Sequence, residues 1–395
     1  MRLASAAATI NMYRSSPLPP DLDLPIDALA AGFNDVTNSY KFHWFLAILA
    51  HLQQTEETVA TVEQLIARMV ADVWYPSNYF RLSFGKQDRL GLIASRMRLE
   101  HNLLVNTPKP AIITAALNVL SERPKLGQEL QSLARFVPYR FLRPFFGAQL
   151  RGLADWKVND EIRRCADWSF TEQDAPCFYR FIDKPALAIE IHPLWATYLQ
   201  RNFTIVTGYC LWHLSNYLQR NNPNVPNIVG KIFPPEERNL SIGRRFWRLV
   251  LNSLGELHCV YSGAVVDKSS FSLDHFLPWS YVAHDLLWNL VPVPKDVNSA
   301  KGDQLPDLDR YFEPYARLQH AAVQVIAATH QEVLLEDHVM LFRMQSAEEV
   351  CALPYDVFKR LLQDTIAPQI QIARNMGFTA GWSYLRSPSL RATAG

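Results

Sequence analysis

The segment from Cys259 to Pro306 concentrates side chains suited to acid–base and cation chemistry. It contains the pair Asp274-His275, then Asn289, and then Asn298 with Lys301 three residues later. A histidine can accept a proton from water near neutral pH, because an imidazole titrates at about pH 6.5. Carboxylate and amide oxygens are ligands for hard divalent cations. The segment therefore has the residue types for a metal-assisted hydrolysis.

The sequence pattern around these residues predicts a strand, a loop, a second strand and a helix. The first strand is expected through residues 270–276, the second within the apolar run 288–293, and the helix from about Pro294. Side chains alternate along a strand, so Asp274 and His275 are expected on opposite faces. One of them can then hold a cation while the other meets the attacking water from a different angle.

These motifs resemble a known nuclease core. The stretches SLDHFLPWS, WNLVPV and VNSAKGDQLP are similar to the DH…N…N pattern of HNH endonucleases, including the HNH domain of the CRISPR single-effector nucleases. The resemblance implies a ββα-metal fold in which His275 is the general base and Asp274 and Asn298 hold the metal. It also implies that Asn289 organises the loop of the catalytic core and that Lys301 meets a phosphate.

One position departs from the family pattern. Many HNH proteins carry two CxxC pairs that bind a structural zinc, whereas here Ser262 follows Cys259 at the partner position. We therefore expect no structural zinc. For the proposed phosphodiester chemistry we expect Mg²⁺ or Mn²⁺ as the cofactor. A module of about 50 residues buries little core, so flanking helices are expected to support it.

Two basic clusters are candidate nucleic-acid contacts. Arg244, Arg245 and Arg248 precede the motif segment at helical spacing and are expected to contact DNA phosphates. The stretch 135–152 interleaves arginines with aromatic residues, which suits phosphates and stacked bases. The alternative for that stretch is an aromatic core with a solvated arginine rim, and the sequence leaves both open.

The remainder of the chain has mostly helical apolar spacing, as in residues 26–70 and 312–374. The predicted fold class is mainly α, with a helical N-terminal region, a small α+β HNH module and C-terminal helices. The predicted domains are a helical recognition or partner domain (1–235), the nuclease module (236–310) and a C-terminal helical segment that packs on the module (311–395). The boundary is expected in the loop 221–239, which is dense in Asn, Pro and charged residues.

Composition limits the setting and the partners. The 39 basic and 38 acidic residues nearly cancel, so any nucleic-acid contact must come from local patches. Five scattered cysteines without a CxxC argue against a disulfide framework, and the first ten residues lack the apolar core of a signal peptide. We expect a cytoplasmic protein that does not span a membrane.

Three classes of function follow from these observations. The first is a metal-dependent endonuclease acting on DNA, alone or as a homodimer, in bacterial defence or restriction. The second is a nuclease subunit of a defence or guide-RNA-directed complex, with the helical region as its docking platform. The third is a non-catalytic binding module, against which the intact Asp274, His275 and Asn298 count.

Overall fold

The computed structural model describes residues 18–385 except 35, 123, 172–174, 184 and 236–237. The first ten residues, on which the signal-peptide argument was based, lie outside the described residues. The predicted fold class is confirmed, because α-helices dominate and the strands form only two small sheets. Within the described part, no helix combines the length and apolar character needed to cross a bilayer.

The chain divides into two compact units. One holds the residues up to Pro223 together with Ile232–Pro234, and the other holds Asn224–Lys231 and the residues from Pro235 onward. The second unit thus includes both the motif segment and the helices that follow it. The division into three domains stays a prediction.

The first unit is a helical assembly with one small antiparallel sheet, in which the strand Ala188–Ile191 lies between the strands Val59–Thr61 and Tyr179–Ile182. Its core is rich in buried aromatic side chains such as Trp44, Trp74 and Trp195. Thr61 and Gln64 form a capping box that starts the helix Val62–Asn78, each side chain accepting a hydrogen bond from the other's backbone N–H. In chain order its elements are α1 (Ile26–Ala31), α2 (Tyr40–Thr55), β1 (Val59–Thr61), α3 (Val62–Asn78), α4 (Leu90–Glu100), α5 (Lys109–Glu122), α6 (Lys125–Phe141), a 3-10 turn (Arg143–Phe146), α7 (Asp155–Thr171), β2 (Tyr179–Ile182), β3 (Ala188–Ile191), α8 (Pro193–Arg201) and α9 (Phe203–Asn221).

The second unit surrounds a two-stranded hairpin with helices. Its elements are a 3-10 turn (Val229–Lys231), α10 (Ser241–Leu254), β4 (Ser272–His275), α11 (Trp279–Val282), a 3-10 turn (Leu287–Asn289), β5 (Leu290–Val293), α12 (Lys295–Lys301), α13 (Leu308–Ala328), a 3-10 turn (Glu332–Leu335), α14 (Glu336–Phe342), α15 (Ala347–Cys351) and α16 (Tyr355–Asn375). The strands β4 and β5 and the helix α12 have the predicted order and nearly the predicted positions.

Two flanking helices hold this hairpin in place. On α13, Gln319 donates a hydrogen bond to the carbonyl of Leu290 at 2.8 Å, and the ring of Tyr315 stacks on Phe276 with 4.0 Å between centroids. On α10, Gly243 lies so close to the hairpin that an added Cβ would stand 2.8 Å from Leu290 and 3.0 Å from Leu273. One continuous hydrophobic core includes residues of the hairpin, α10, α13 and α16. Packing on these helices supplies the support that such a small module lacks on its own.

Candidate active site

The hairpin places the two predicted reactive residues side by side at the end of β4. Asp274 pairs with Val291 and His275 with Leu290 in the antiparallel register. The two side chains contact different partners, as alternation along a strand requires. Both residues are buried, at 3% and 6% exposure.

His275 is oriented by a carboxylate that was not predicted from the sequence. Its Nε2 atom lies 2.7 Å from Oδ1 of Asp285. A carboxylate only accepts hydrogen bonds, so this contact favours the proton on Nε2 and leaves the lone pair on Nδ1 to accept a proton. The arrangement has the geometry of a general base with an orienting acid. Asp285 lies in the loop that leads back to β5, the strand that pairs with the end of β4 at His275. Its position in this loop was the one sequence feature that could have indicated it as a partner of His275.

Asp274 is held by a buried lysine and a buried tyrosine. The Tyr261 hydroxyl donates to Asp274 Oδ2 at 2.8 Å, and Lys301 Nζ lies 3.1 Å from the same oxygen. Lys301 also donates to the carbonyl of His275 at 2.7 Å. Burial, together with the nearby Asp274 carboxylate, raises the pKa of Tyr261 well above its usual value, so the phenol remains a donor. Tyr261 was not predicted from the sequence.

Lys301 is fully buried in this arrangement. Its ammonium contacts the carboxylate of Asp274 and the carbonyl of His275 at the end of β4. The buried lysine therefore balances the negative charge of Asp274. Its predicted contact with a phosphate remains a prediction.

Asn289 fixes the loop that follows β4. Its side-chain oxygen accepts from the Leu277 N–H at 2.8 Å, and its side-chain nitrogen donates to the Leu277 carbonyl at 2.9 Å. Its own carbonyl accepts from the N–H of Phe276 at 2.8 Å. The side chain is fully buried, and its contacts are with the backbone. This is the geometry expected of a residue that organises the loop.

Asn298 lies on α12, one turn before Lys301. Residues three apart share a helix face, so Asn298 lies on the same face of α12 as Lys301. Lys301 contacts Asp274 from that face. Its side chain is half-buried and makes no hydrogen bond within the described part of the chain. The carboxylate of Asp274 and the amide of Asn298 fit a hard divalent cation by donor type. Histidine, cysteine and carboxylate side chains alone form no metal-binding group of three or more among the described residues.

A second histidine, His284, lies near His275, and a second buried lysine, Lys231, lies near His284. Burial lowers the pKa of His284 to about 4, and the neighbouring His275 and Lys231 act in the same direction. His284 is therefore neutral at neutral pH. Lys231 is buried and donates to the carbonyl of Pro226, and burial lowers its pKa to about 7. No local pattern in the sequence marks Lys231 as a neighbour of His284, because it precedes the DH pair by more than forty residues.

Backbone hydrogen bonds close the turn that begins at Cys259. The Cys259 N–H donates to the carbonyl of Ala264 at 2.8 Å, and the Gly263 N–H donates to the carbonyl of Cys259 at 2.9 Å. Cys259 itself is buried with a free thiol. Backbone hydrogen bonds and packing thus stabilise the turn.

The three arginines of α10 share one exposed face. Arg244, Arg245 and Arg248 are exposed, while Phe246 and Trp247 point into the core. Arg244 donates to the carbonyl of Phe271, and Arg245 donates to Gln331. These bonds fix two guanidinium groups at the surface near the hairpin.

Comparison with known proteins agrees with this geometry. Residues 259–307 match the family model described as HNH endonuclease. Neither the curated proteins nor the solved structures gave a match to the chain. The matched residues include every motif residue from Asp274 to Lys301 and also Asp285.

Proposed function

We propose that this protein is a metal-dependent endonuclease that hydrolyses phosphodiester bonds in DNA, because residues 259–307 match the HNH endonuclease family model. The observation that carries the proposal is the 2.7 Å contact between His275 and Asp285 within the matched segment. This contact supports a general-base role for His275, in which Asp285 holds Nε2 and Nδ1 accepts the proton.

In the proposed reaction, His275 Nδ1 takes a proton from water as the water oxygen attacks phosphorus. The bond from phosphorus to the 3′-oxygen breaks, and the leaving oxygen takes a proton from solvent, which gives a 5′-phosphate and a 3′-hydroxyl. Asp274 and Asn298 are the residues proposed to hold Mg²⁺ or Mn²⁺. The cation would supply positive charge against the charge that accumulates on the phosphate oxygens.

The remaining residues of the site have positioning roles in this proposal. Asn289 keeps the loop after β4 in place, and Lys301 with Tyr261 fixes the Asp274 carboxylate. Arg244, Arg245 and Arg248 are proposed to contact DNA phosphates. The proposed setting, from the family resemblance, is bacterial defence or restriction.

The decisive experiment is incubation of the purified chain with supercoiled plasmid and Mg²⁺ or Mn²⁺. Nicked or linear product is expected from the wild type and not from His275→Ala or in the presence of EDTA. His258→Ala is a matched control, because His258 is an exposed histidine in the same unit and lies outside the proposed site. A folded His275→Ala variant that cuts at the wild-type rate would refute the role of His275.

A second candidate function is a nuclease subunit that receives DNA from partner proteins or a guide RNA. The net charge of +1 favours it, because intrinsic non-specific affinity for DNA would be modest. The two proposals differ in one result. The isolated chain would fail to cut plasmid, whereas the assembly isolated from its native cells would cut, and cutting would depend on His275.

A further inference from the structure

The first unit contains a cavity that the nuclease proposal does not use. It has a volume of about 370 Å³ and lies between the start of α2 and the end of α6. Its lining includes Asn38, Tyr40, Lys41, Phe136, Arg140 and Arg143. Phe136, Arg140 and Arg143 belong to the stretch in which arginines and aromatic residues alternate.

The lining is strongly cationic. Of the nine lining residues that the structure describes, three are Lys or Arg and none is acidic. Arg140 is held by Asp155 through two contacts of 2.8 and 3.0 Å. Lys41 and Arg143 have no ion pair within the described part of the chain. Two positive charges therefore face the cavity, and no carboxylate among its described lining residues balances them.

The position of Lys41 is unfavourable for a charged side chain. Burial, together with the nearby Arg143, lowers the pKa of Lys41. Lys41 also lies in the first turn of α2, which has no acidic residue and is the positive end of the helix dipole. An anion in the cavity would offset all three effects.

The cavity also offers aromatic surface beside these cations. Phe136 is 46% exposed, and the guanidinium carbon of Arg135 lies 5.5 Å from its ring centroid. Tyr40 adds a second ring to the lining. Exposed rings next to Lys and Arg are the combination with which proteins stack bases and hold phosphates.

We infer that this cavity binds a nucleotide, with its phosphate between Lys41 and Arg143 and its base against Phe136. The volume is within the range of small-molecule sites. The same chemistry is offered by a free mononucleotide and by the 5′-phosphorylated end of a single strand. This site is separate from the nuclease module and does not depend on its activity.

Binding would be measured by fluorescence anisotropy on the full chain carrying His275→Ala, in EDTA, so that the probe is not cut. The probe is a ten-nucleotide oligo-dT with a 5′-phosphate and a 3′-fluorescein, and the competitors are TMP, AMP and the unlabelled strand with and without its 5′-phosphate. Competition by mononucleotides identifies a free nucleotide as the ligand. Competition by the phosphorylated strand alone identifies a strand end.

Lys41→Gln and Arg143→Gln are each expected to weaken binding at least about tenfold, since each removes a charge-assisted hydrogen bond. Phe136→Ala is expected to weaken binding about fivefold or more, because the base then has no ring to stack on. Arg151→Gln, at an exposed arginine outside the cavity, is the matched control and should bind like the parent. Thermal unfolding checks that each variant is folded.

Three results would overturn the inference: no binding of the probe, equal binding with and without the 5′-phosphate, or unchanged binding by the folded Lys41 and Arg143 variants. Combined Arg244→Glu and Arg245→Glu should leave intact the difference in affinity between the strands with and without the 5′-phosphate. That result separates the cavity from the nuclease module, because failure of one proposal then leaves the other standing.

Discussion

At the residue scale, the contact between His275 and Asp285 makes a prediction about the rate of cleavage. In Asp285→Asn an amide nitrogen can donate to Nε2, which would favour the proton on Nδ1, where the reaction needs a lone pair. We expect a fall in the cleavage rate of about 100-fold or more. Single-turnover nicking of supercoiled plasmid measures it.

Asp309→Asn is the matched control for that change. Asp309 is exposed at the start of α13. Its variant should cut like the wild type. Because Asp285 is partly exposed, both variants should unfold at nearly the wild-type temperature. Normal cleavage by a folded Asp285→Asn variant would remove Asp285 from its positioning role.

The buried pair of Lys301 and Asp274 makes a prediction about stability. Lys301→Met would leave the Asp274 carboxylate buried without its cation, since the two side chains are 0% and 4% exposed. Removing one partner of a buried ion pair costs about 3–5 kcal/mol of unfolding free energy. Urea unfolding measures this cost. Adding Asp274→Leu should recover part of it, because the uncompensated charge is then gone.

Lys295→Met tests the same change on an exposed lysine of the same helix. We expect it to change stability by less than about 0.5 kcal/mol. Equal stability of the Lys301 and Lys295 variants would contradict the assignment of Lys301 as the counter-ion of Asp274.

The chain could indicate some of these residues in advance and not others. Asp274, His275, Asn289, Asn298 and Lys301 follow a linear motif, and the structure brings Lys301 onto Asp274 and Asn289 onto the loop after β4. Tyr261 contacts Asp274, and Lys231 lies near His284, only through tertiary folding, and no local spacing marks either residue. Asp285 could be indicated in part. It lies inside the motif segment, but only the folded hairpin, in which His275 pairs with Leu290, brings it to His275.

At the element scale, local patterns were sufficient for the hairpin. The apolar run before Pro294 became β5, and the polar segment after it became α12, as predicted. The packing of α10 on the hairpin at Gly243 was not predictable, because contact between an amphipathic helix and a distant strand depends on the whole core. That packing also determines where the arginines of α10 point.

The exposed face of α10 makes a prediction about salt dependence. Arg244→Glu combined with Arg245→Glu should weaken binding of duplex DNA and lower the slope of log affinity against log salt by roughly 2, one for each phosphate that is no longer neutralised. Anisotropy of a labelled duplex at salt concentrations from about 50 to 200 mM, on the His275→Ala background, measures this slope. Over that range the release of counterions from phosphates dominates the change in affinity.

Arg360→Glu combined with Arg374→Glu is the control for that experiment. Both arginines are exposed on α16 in the same unit, so the change in net charge is identical. We expect the control to have a smaller effect on affinity. Equal slopes for the wild type and the Arg244 and Arg245 variant would exclude this face of α10 from the DNA contact.

At the scale of the whole molecule, each unit buries a histidine that must remain neutral for the fold to persist. Burial lowers the pKa of His43 in the first unit and of His338 in the second to about 4. Neither nitrogen of His43 has a hydrogen-bond partner within the described part of the chain. Protonation would place a positive charge in each core, where burial disfavours it.

The stability of the protein should therefore fall on acidification. An unfolded histidine binds its proton below about pH 6.5, whereas these two remain unprotonated until about pH 4. Between those values the unfolded state holds more protons, so the stabilisation is complete above pH 6.5 and is lost as the pH falls towards 4. Each histidine should contribute a slope of about 1.4 kcal/mol per pH unit.

Urea unfolding of the wild type, His43→Leu and His338→Leu at pH 7, 6 and 5 isolates the two contributions, because every other titrating group is common to the three proteins. Each variant should be less sensitive to acid than the wild type by about 1.4 kcal/mol per pH unit between pH 6 and 5, in the unfolding of its own unit. His101→Leu, at an exposed histidine, should parallel the wild type. If the curves of the buried-site variants also run parallel to the wild type, the acid sensitivity arises elsewhere, and the neutral state of these histidines contributes nothing to the pH range over which the fold survives.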